Sequence, residues 1–324
     1  NAVLRSISAD LDIYNDLESD ANVSDLEKLS ILYSHPIWII TAYYDQLKDW
    51  DAVRDLLRKN NIPVAPHIVS WPGKSTVSEI LETGGEKLAI GTYSVLSNHL
   101  PNEYPAIKDK RAGIQDMGSQ LVSEIFFATK NDAPQKWLDL CAGPGGKAAL
   151  LHNLLQVEKP NDGFLANEPT QHRAELVARV VPKNKIVSFD GRDVASFNET
   201  YDRILIDAPC TGLGALRRRP EARWRRSIND LKELLPLQRE LIDSAYQMLN
   251  PGGIIGFVTC SPLLAETKSQ VLDAKYRHKD LSILDISKYS PSGQTGVSDD
   301  GTMQLWTHLD GSDSMFMALL QKSA

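Results

Sequence analysis

Two cysteines in this chain each follow a short apolar run that is typical of a strand. The run 203–207 leads into Ala208-Pro209-Cys210, and the run 254–258 leads into Thr259-Cys260-Ser261. In an open parallel sheet, ligands and chemistry sit at the carboxyl ends of the strands. Buried cysteines are common as small apolar residues, but two thiols at adjacent strand ends are better explained as a nucleophile and a helper.

A glycine-rich segment between a predicted strand, 136–140, and a predicted helix indicates a cofactor site. It reads Cys141-Ala142-Gly143-Pro144-Gly145-Gly146-Lys147. Glycines permit a tight turn and let a ligand approach backbone N–H groups at a helix N-terminus. The segment has neither the Walker spacing nor G-x-G-x-x-G. S-adenosylmethionine, which has no phosphates to cradle, is therefore a better candidate than a dinucleotide.

Acidic residues follow the next predicted strands and complete this predicted cofactor site. Glu168 comes after the strand 163–166, where a carboxylate can accept hydrogen bonds from both ribose hydroxyls. Asp190 ends the strand 185–188 and is placed beside an adenine, while Asp207 ends the strand 203–207. For Cys141 we expect a packing role and at most a place in the cofactor lining.

A basic cluster is predicted to bind a polyanion although the whole chain is acidic. The net charge is −7, but six arginines and a tryptophan fall within ten residues. Backbone phosphates are bound by local basic patches. A solvated charged loop is the alternative, and Trp224 could pack the loop as readily as stack on a base. The residues are Arg217, Arg218, Arg219, Arg223, Trp224, Arg225 and Arg226.

Composition excludes several other classes of protein. No apolar run approaches the ~20 residues of a membrane span, and no signal peptide is visible. Three cysteines without a CxxC pair cannot form a disulfide framework. Seven histidines show no metal-ligand spacing. We therefore expect a cytoplasmic protein, acting as a monomer, with no metal and no membrane contact.

The order of predicted elements indicates an α/β protein with a doubly wound parallel sheet. Residues 303–309 and 315–320 flank a turn and are predicted to form a closing antiparallel hairpin. Before this region, helical spacing is found in residues 25–60. A strand is predicted at residues 62–69, at a sheet edge because of their prolines. A helix is predicted at residues 75–83, and a weaker strand pattern covers residues 87–96. The predicted divisions are a helix end and acidic linker at 1–24, a small α/β subdomain at 25–110 and a large domain at 111–324.

Three motifs in register resemble the RsmB/Sun family of RNA (cytosine-5)-methyltransferases. They are the glycine-rich segment 141–147, the Asp207–Gly212 segment with 218–224, and Thr259-Cys260-Ser261-Pro262. Gln115-Asp116-Met117-Gly118-Ser119-Gln120 is similar to the family's lead-in to the catalytic domain. The resemblance covers residue 111 to the end. It implies a class I, Rossmann-like methyltransferase domain, a preceding RNA-binding subdomain, and a remnant of a NusB-like domain at residues 1–5.

The resemblance also implies a chemistry. Cytosine C5 is a poor nucleophile, so a thiolate first adds to C6, and the resulting enamine-like C5 attacks the sulfonium methyl group. In the family the cysteine of Thr-Cys-Ser is the nucleophile, here Cys260, and the Pro-Cys cysteine, here Cys210, assists product release. Asp207 would hold the N3/N4 edge of the base, and Lys147 would lower a thiol pKa or contact the base or its phosphate.

Alternatives remain open on the residues alone. DNA cytosine methyltransferases use a Pro-Cys nucleophile, so Cys210 is a rival to Cys260. Small-subunit ribosomal RNA is the substrate that the resemblance implies, whereas transfer RNA, protein, or an RNA-binding assembly factor without turnover are the rivals. The chain also departs from the family, because Leu263-Leu264-Ala265-Glu266-Thr267 stands where Pro-Glu-Glu-Asn is common, and only Glu266 keeps an acid there.

Overall fold

A computed structural model describes Leu17, residues 20–293 and residues 295–324. The predicted helix end at 1–5 and the linker residues 9–16, 18 and 19 lie outside this part of the chain. None of the helices in the described ranges is both long and apolar enough to span a membrane.

Three helices form the first module, as the spacing of 25–60 predicts. They are α1 (Asp25–Tyr33), α2 (Ile37–Leu47) and α3 (Trp50–Asn60). Ser24 and Glu27 form a capping box at α1, and the Asp49 carboxylate accepts from two backbone N–H groups at the start of α3. The helices share an apolar core that also takes in Leu213, Leu216 and Leu263 from the large domain.

A small antiparallel sheet follows, with the strand order β2-β3-β1-β4. The prediction of an edge position for the first strand is wrong, because β1 pairs with both β3 and β4. Pro63 and Pro66 precede the strand, so its N–H groups are free to bond on both sides. The elements are β1 (His67–Ser70), α4 (Val77–Thr83), β2 (Glu86–Lys87), β3 (Ser94–Leu96), α5 (Pro105–Lys108) and β4 (Ala112–Ile114); β4 lies past the predicted boundary at 110.

The large domain is built on one mixed sheet with the order β10-β12-β9-β8-β5-β6-β7. The five strands from β9 to β7 are parallel, which confirms the predicted doubly wound α/β class. These strands are β5 (Lys136–Asp139), β6 (Gly163–Asn167), β7 (Ile186–Val187), β8 (Tyr201–Asp207) and β9 (Leu249–Thr259).

The far end of the sheet is antiparallel. β12 (Phe316–Lys322) lies between β9 and β10 (Leu281–Leu284). The sequence did not predict β10. β11 (Met303–Gln304) pairs with β12, so the predicted antiparallel pair is present with a shorter first strand. Residues 307–310 form the short helix α13 (Thr307–Asp310) instead, because the Asp310 carboxylate accepts from the Trp306 N–H at 2.6 Å.

Helices cover both faces of the large sheet. α6 (Met117–Ala128) and α7 (Gly146–Glu158) pack on one face around Phe126 and Trp137. α11 (Leu231–Met248) and α12 (Lys268–Arg277) cover the other face around Phe257 and Phe316. The remaining short helices are α8 (Gln171–Val177), α9 (Val194–Phe197) and α10 (Ala222–Arg225).

Candidate active site

The carboxyl ends of β5, β8 and β9 meet at one edge of the large sheet. β5 pairs with β8, and β8 pairs with β9 so that Asp207 lies opposite Val258. The chain leaves β8 into Cys210 and leaves β9 into Cys260. The backbone groups of Gly212 and Cys260 both lower the pKa of the Cys210 thiol, against larger influences that raise it. The structure thus brings together the two thiols that the sequence singled out.

Lys147 and Asp207 form an ion pair beside these thiols. Lys147 lies in the first turn of α7 with 9% of its surface exposed, and its Nζ donates to Asp207 Oδ2 at 2.8 Å. Burial alone would lower the pKa of Lys147, but the Asp207 carboxylate raises it above its ordinary value. A permanently charged ammonium therefore sits next to Cys260, where it opposes the other influences on that thiol.

The pKa of each of the two thiols is raised. Burial and, after it, the Glu266 carboxylate raise the pKa of Cys210 to about 12. Burial and the nearby Asp313 raise the pKa of Cys260 well above its ordinary value. Burial has the same effect on the pKa of Cys141, which packs against the core on the α11 face.

The glycine-rich loop is shaped by a buried carboxylate. The Gly143 N–H donates to Glu168 Oε2 at 3.2 Å, and Thr170 N–H donates to Oε1 at 3.0 Å. A Cβ atom on Gly143 would lie 2.1 Å from Glu168 Oε2, so any other residue there would displace the Glu168 carboxylate. Gly145, with φ of 115°, turns the chain into α7. Glu168, 2% exposed, is thereby held under the loop as the sequence placed it.

Asn167 and Asp139 lie at the same strand ends, and the sequence predicted no role for either side chain. The Asn167 amide donates to Leu140 O and Phe189 O, and it accepts from Phe189 N–H at 2.9 Å, which joins three strand ends. Asp139 is fully buried, and neither carboxyl oxygen has a partner in the described part of the chain. Burial, and then the Asp207 carboxylate, raise the pKa of Asp139 to about 8.

These residues fit a cofactor with an adenosyl group and a charged amino-acid tail. Three features lie together at one edge of the sheet. They are the backbone of Gly143, where a Cβ atom would fill the adjacent space, the buried acceptor Glu168, and the unpartnered carboxyl oxygens of Asp139. Asp190 differs from this group, because it is exposed and paired with Arg192 at 2.6 Å, and the Arg192 bonds lower its pKa to about 2. Within the described ranges, no cluster of three or more His, Cys, Asp or Glu side chains could hold a metal ion.

The arginine cluster divides into two groups. Arg223 is buried and donates to Asn60 O at 2.7 Å and to Asn61 Oδ1 at 2.6 Å, which fastens the loop to α3. Arg218 pairs with Asp116 and with Asp313, and its Nη2 lies 3.2 Å from His67 Nδ1. Arg217 donates to Gly311 O. These three arginines therefore hold the loop in place.

The other members of the cluster face solvent. Arg219, Arg225 and Arg226 are exposed, and the Trp224 side chain is 62% exposed. Arg226 has one loose contact with Asp230 at 3.7 Å. Within the cluster, this group is the one that presents exposed cations and an aromatic ring to solvent. The sequence run of arginines could not separate the two groups, because their partners lie on distant segments.

Comparison with known proteins places this arrangement in a family. The family described as 16S rRNA methyltransferase RsmB/F matches residues 125–321. The chain belongs to this family. This match confirms the resemblance found in the motifs of the chain. The protein is a methyltransferase of the class that uses S-adenosylmethionine.

Two relatives and one solved structure show the extent of the likeness. A putative methyltransferase of Mycobacterium tuberculosis is 39% identical over 99% of this chain and 71% of its own length. The ribosomal RNA small subunit methyltransferase B of Pectobacterium carotovorum is 33% identical over 68% of this chain, which spans 49% of that relative. The crystal structure of PH0851 superposes with a TM-score of 0.80 at 25% identity, over 93% of this chain and 69% of that one.

Proposed function

We propose that this family member transfers a methyl group from S-adenosylmethionine to C5 of a cytidine in RNA, through a covalent adduct between Cys260 Sγ and C6. The observation that carries the proposal is the juxtaposition of two thiols at the ends of β8 and β9 with the buried Lys147–Asp207 pair. A site that only bound a methyl donor would need neither thiol.

The first step is attack by Cys260. The Lys147 ammonium would stabilise the charge that develops on sulfur as Cys260 Sγ bonds to C6, and the thiol proton would pass to N3 of the base. Asp207 would accept from the N4 amino group and share the proton at N3, so that electrons flow into the ring. S-adenosylmethionine would supply an electrophilic methyl group to C5. The C5 proton would then pass to solvent water, and the electron pair of the C5–H bond would re-form the C5–C6 double bond and expel Sγ as a thiolate, which takes back the proton from N3.

Cys210 would assist this last step. The pKa of this thiol is raised to about 12, chiefly by burial, so in this proposal Cys210 keeps its proton and donates a hydrogen bond to Sγ as the C6–Sγ bond breaks. Glu168, with the loop 141–147, would hold the cofactor, and Asp190 remains a prediction for its adenine end.

RNA would reach the site across the exposed part of the basic loop. Arg219, Arg225 and Arg226 would neutralise flanking phosphates, and Trp224 would stack on an unpaired base. The target cytidine must be unstacked to meet both thiols. Small-subunit ribosomal RNA, in the cytoplasm, is the proposed substrate, supported by the name of the Pectobacterium relative.

Nucleoside analysis tests the proposal. Small-subunit ribosomal RNA transcripts would be incubated with the protein and methyl-labelled S-adenosylmethionine, digested, and separated. Label in 5-methylcytidine is expected, and label in another nucleoside would overturn the C5 assignment. Salt-dependent RNA binding without any transfer, on naked RNA and on assembling subunits, would favour an assembly factor.

A further inference from the structure

Glu266 is a fully buried carboxylate that the proposed mechanism leaves unused. It lies in a single 3₁₀ turn before α12. Its Oε1 accepts from Thr211 N–H at 2.8 Å and its Oε2 accepts from Thr211 Oγ1 at 2.6 Å. Thr211 directly follows Cys210, so this carboxylate fastens the loop that leaves β8.

The same carboxylate also fastens the loop that leaves β9. Ser261, which directly follows Cys260, donates from Oγ to Glu266 Oε2 at 2.6 Å. Gln238 of α11 donates to Oε1 at 3.2 Å. Four donors from three segments thus converge on one side chain. Charge-assisted hydrogen bonds of this kind are stronger than neutral ones, so the bonds fix the two cysteine loops relative to each other.

The charge of Glu266 acts on one of the two thiols in particular. No salt bridge to Glu266 is present within the described ranges, since all its recorded partners are neutral donors. After burial, Glu266 is the largest influence on the pKa of Cys210, which it raises; Asp207 raises this pKa less, and the backbone groups of Gly212 and Cys260 lower it. Lys147 acts on Cys260 but is not among the main influences on Cys210.

We propose that Glu266 is a positioning residue whose buried, hydrogen-bonded carboxylate holds the two cysteine loops in register and keeps Cys210 unreactive, which leaves attack on the base to Cys260. The inference rests on the proposed roles of the two cysteines. It explains why a departure from the family's acidic segment at 263–267 preserves this one carboxylate, since only a side chain at 266 is seen to reach both Thr211 and Ser261.

Thiol alkylation of the free protein tests the inference without RNA or cofactor. Iodoacetamide labelling would be followed by peptide mass spectrometry at Cys210 and Cys260 from pH 7 to pH 10. In Glu266→Gln, which keeps the size and removes the charge, Cys210 should react at least about tenfold faster at pH 8, with its profile displaced to lower pH. Glu266→Asp should restore the slow rate.

A second variant separates charge from loop order. Thr211→Val removes one hydrogen bond to Glu266 and keeps the carboxylate, so Cys210 should stay within about threefold of the wild-type rate. Equal acceleration in Thr211→Val and Glu266→Gln would overturn the inference, because loosening alone would then explain the reactivity. So would an unchanged Cys210 profile in Glu266→Gln.

The wild-type protein supplies a readout that does not depend on a variant folding. Its Cys210 should react at pH 8 at least about tenfold more slowly than the same cysteine in a peptide of residues 205–216, and an equal rate would overturn the inference. A wild-type protein that transfers no methyl group to any RNA, while Glu266→Gln accelerates Cys210 and Thr211→Val does not, would contradict the proposed function and leave the role of Glu266 intact.

Discussion

The Lys147 ammonium donates to the Asp207 carboxylate at 2.8 Å, which joins the first turn of α7 to the end of β8 across 60 residues of sequence. The pair couples the loop predicted to hold the cofactor to the strand end that precedes Cys210. Because Lys147 is 9% exposed, removing either partner leaves a charge in a poorly solvated place.

Replacing Lys147 by Met should abolish methyl transfer and lower the free energy of unfolding by about 1–3 kcal/mol. The folded pKa of Lys147 is raised above its ordinary value, so this contribution is fully present below about pH 10.5 and is lost only as pH rises through the folded pKa. Urea unfolding at pH 6 to 9 should show a constant difference.

The control is an exposed pair on the same sheet. Lys136 and Glu199 lie 3.3 Å apart with more than half of each side chain exposed, so Lys136→Met should change the unfolding free energy by less than about 1 kcal/mol. A Lys147→Met effect no larger than this would show that its pair with Asp207 behaves as a surface contact.

Asp139 should make the protein less stable as pH rises. Its pKa is raised to about 8, whereas an unfolded aspartate ionises near 4. Between these values the unfolded chain has lost a proton that the native protein keeps, so stability falls with pH by up to about 1.4 kcal/mol per unit and levels off above pH 8. Asp139→Asn should remove this slope, and parallel curves for the two proteins would show that Asp139 is ionised when folded.

Glu168 and Asp190 should contribute unequally to cofactor binding. Glu168→Ala removes a buried acceptor that also holds Gly143, so calorimetry should show S-adenosylmethionine binding weakened by about 1–3 kcal/mol. Asp190→Ala changes an exposed side chain that already pairs with Arg192, so its effect should be smaller. The reverse order would move the ribose contact from Glu168 to Asp190.

Substitutions in the two groups of arginines should affect different properties, RNA binding in one group and stability in the other. Changing Arg219, Arg225 and Arg226 to Gln should reduce the slope of log affinity against log salt by about two, with unfolding unchanged. Arg223→Ala should instead lower the free energy of unfolding by about 1–3 kcal/mol, because Asn60 O and Asn61 lose a buried donor. An unchanged slope in the triple variant would mean that these arginines are solvated and do not neutralise RNA phosphates.

Local patterns predicted the parallel strands, the glycine-rich loop and the positions of Glu168, Asp207 and both cysteines, because each depends on neighbours in sequence. Contacts between distant segments could not be predicted in this way. Arg218 pairs with Asp116, which lies 102 residues away in the sequence. A run of arginines does not show which of its side chains have such partners and face inward. The sequence around Glu266 shows only a departure from the family motif, whereas the structure places its carboxylate between the two cysteine loops, bonded to Thr211 and Ser261.

The central claim is that Cys260 attacks RNA and Cys210 releases it, and a denaturing gel tests it most directly. Cys210→Ala, mixed with small-subunit ribosomal RNA fragments and S-adenosylmethionine, should give a slow-migrating protein–RNA adduct that disappears when Cys260 is also replaced by Ala. Cys260→Ala alone should give no adduct and no methyl transfer while cofactor affinity stays nearly unchanged. An adduct formed by the single Cys260→Ala variant, or methyl transfer retained by it, would contradict the account and make Cys210 the nucleophile.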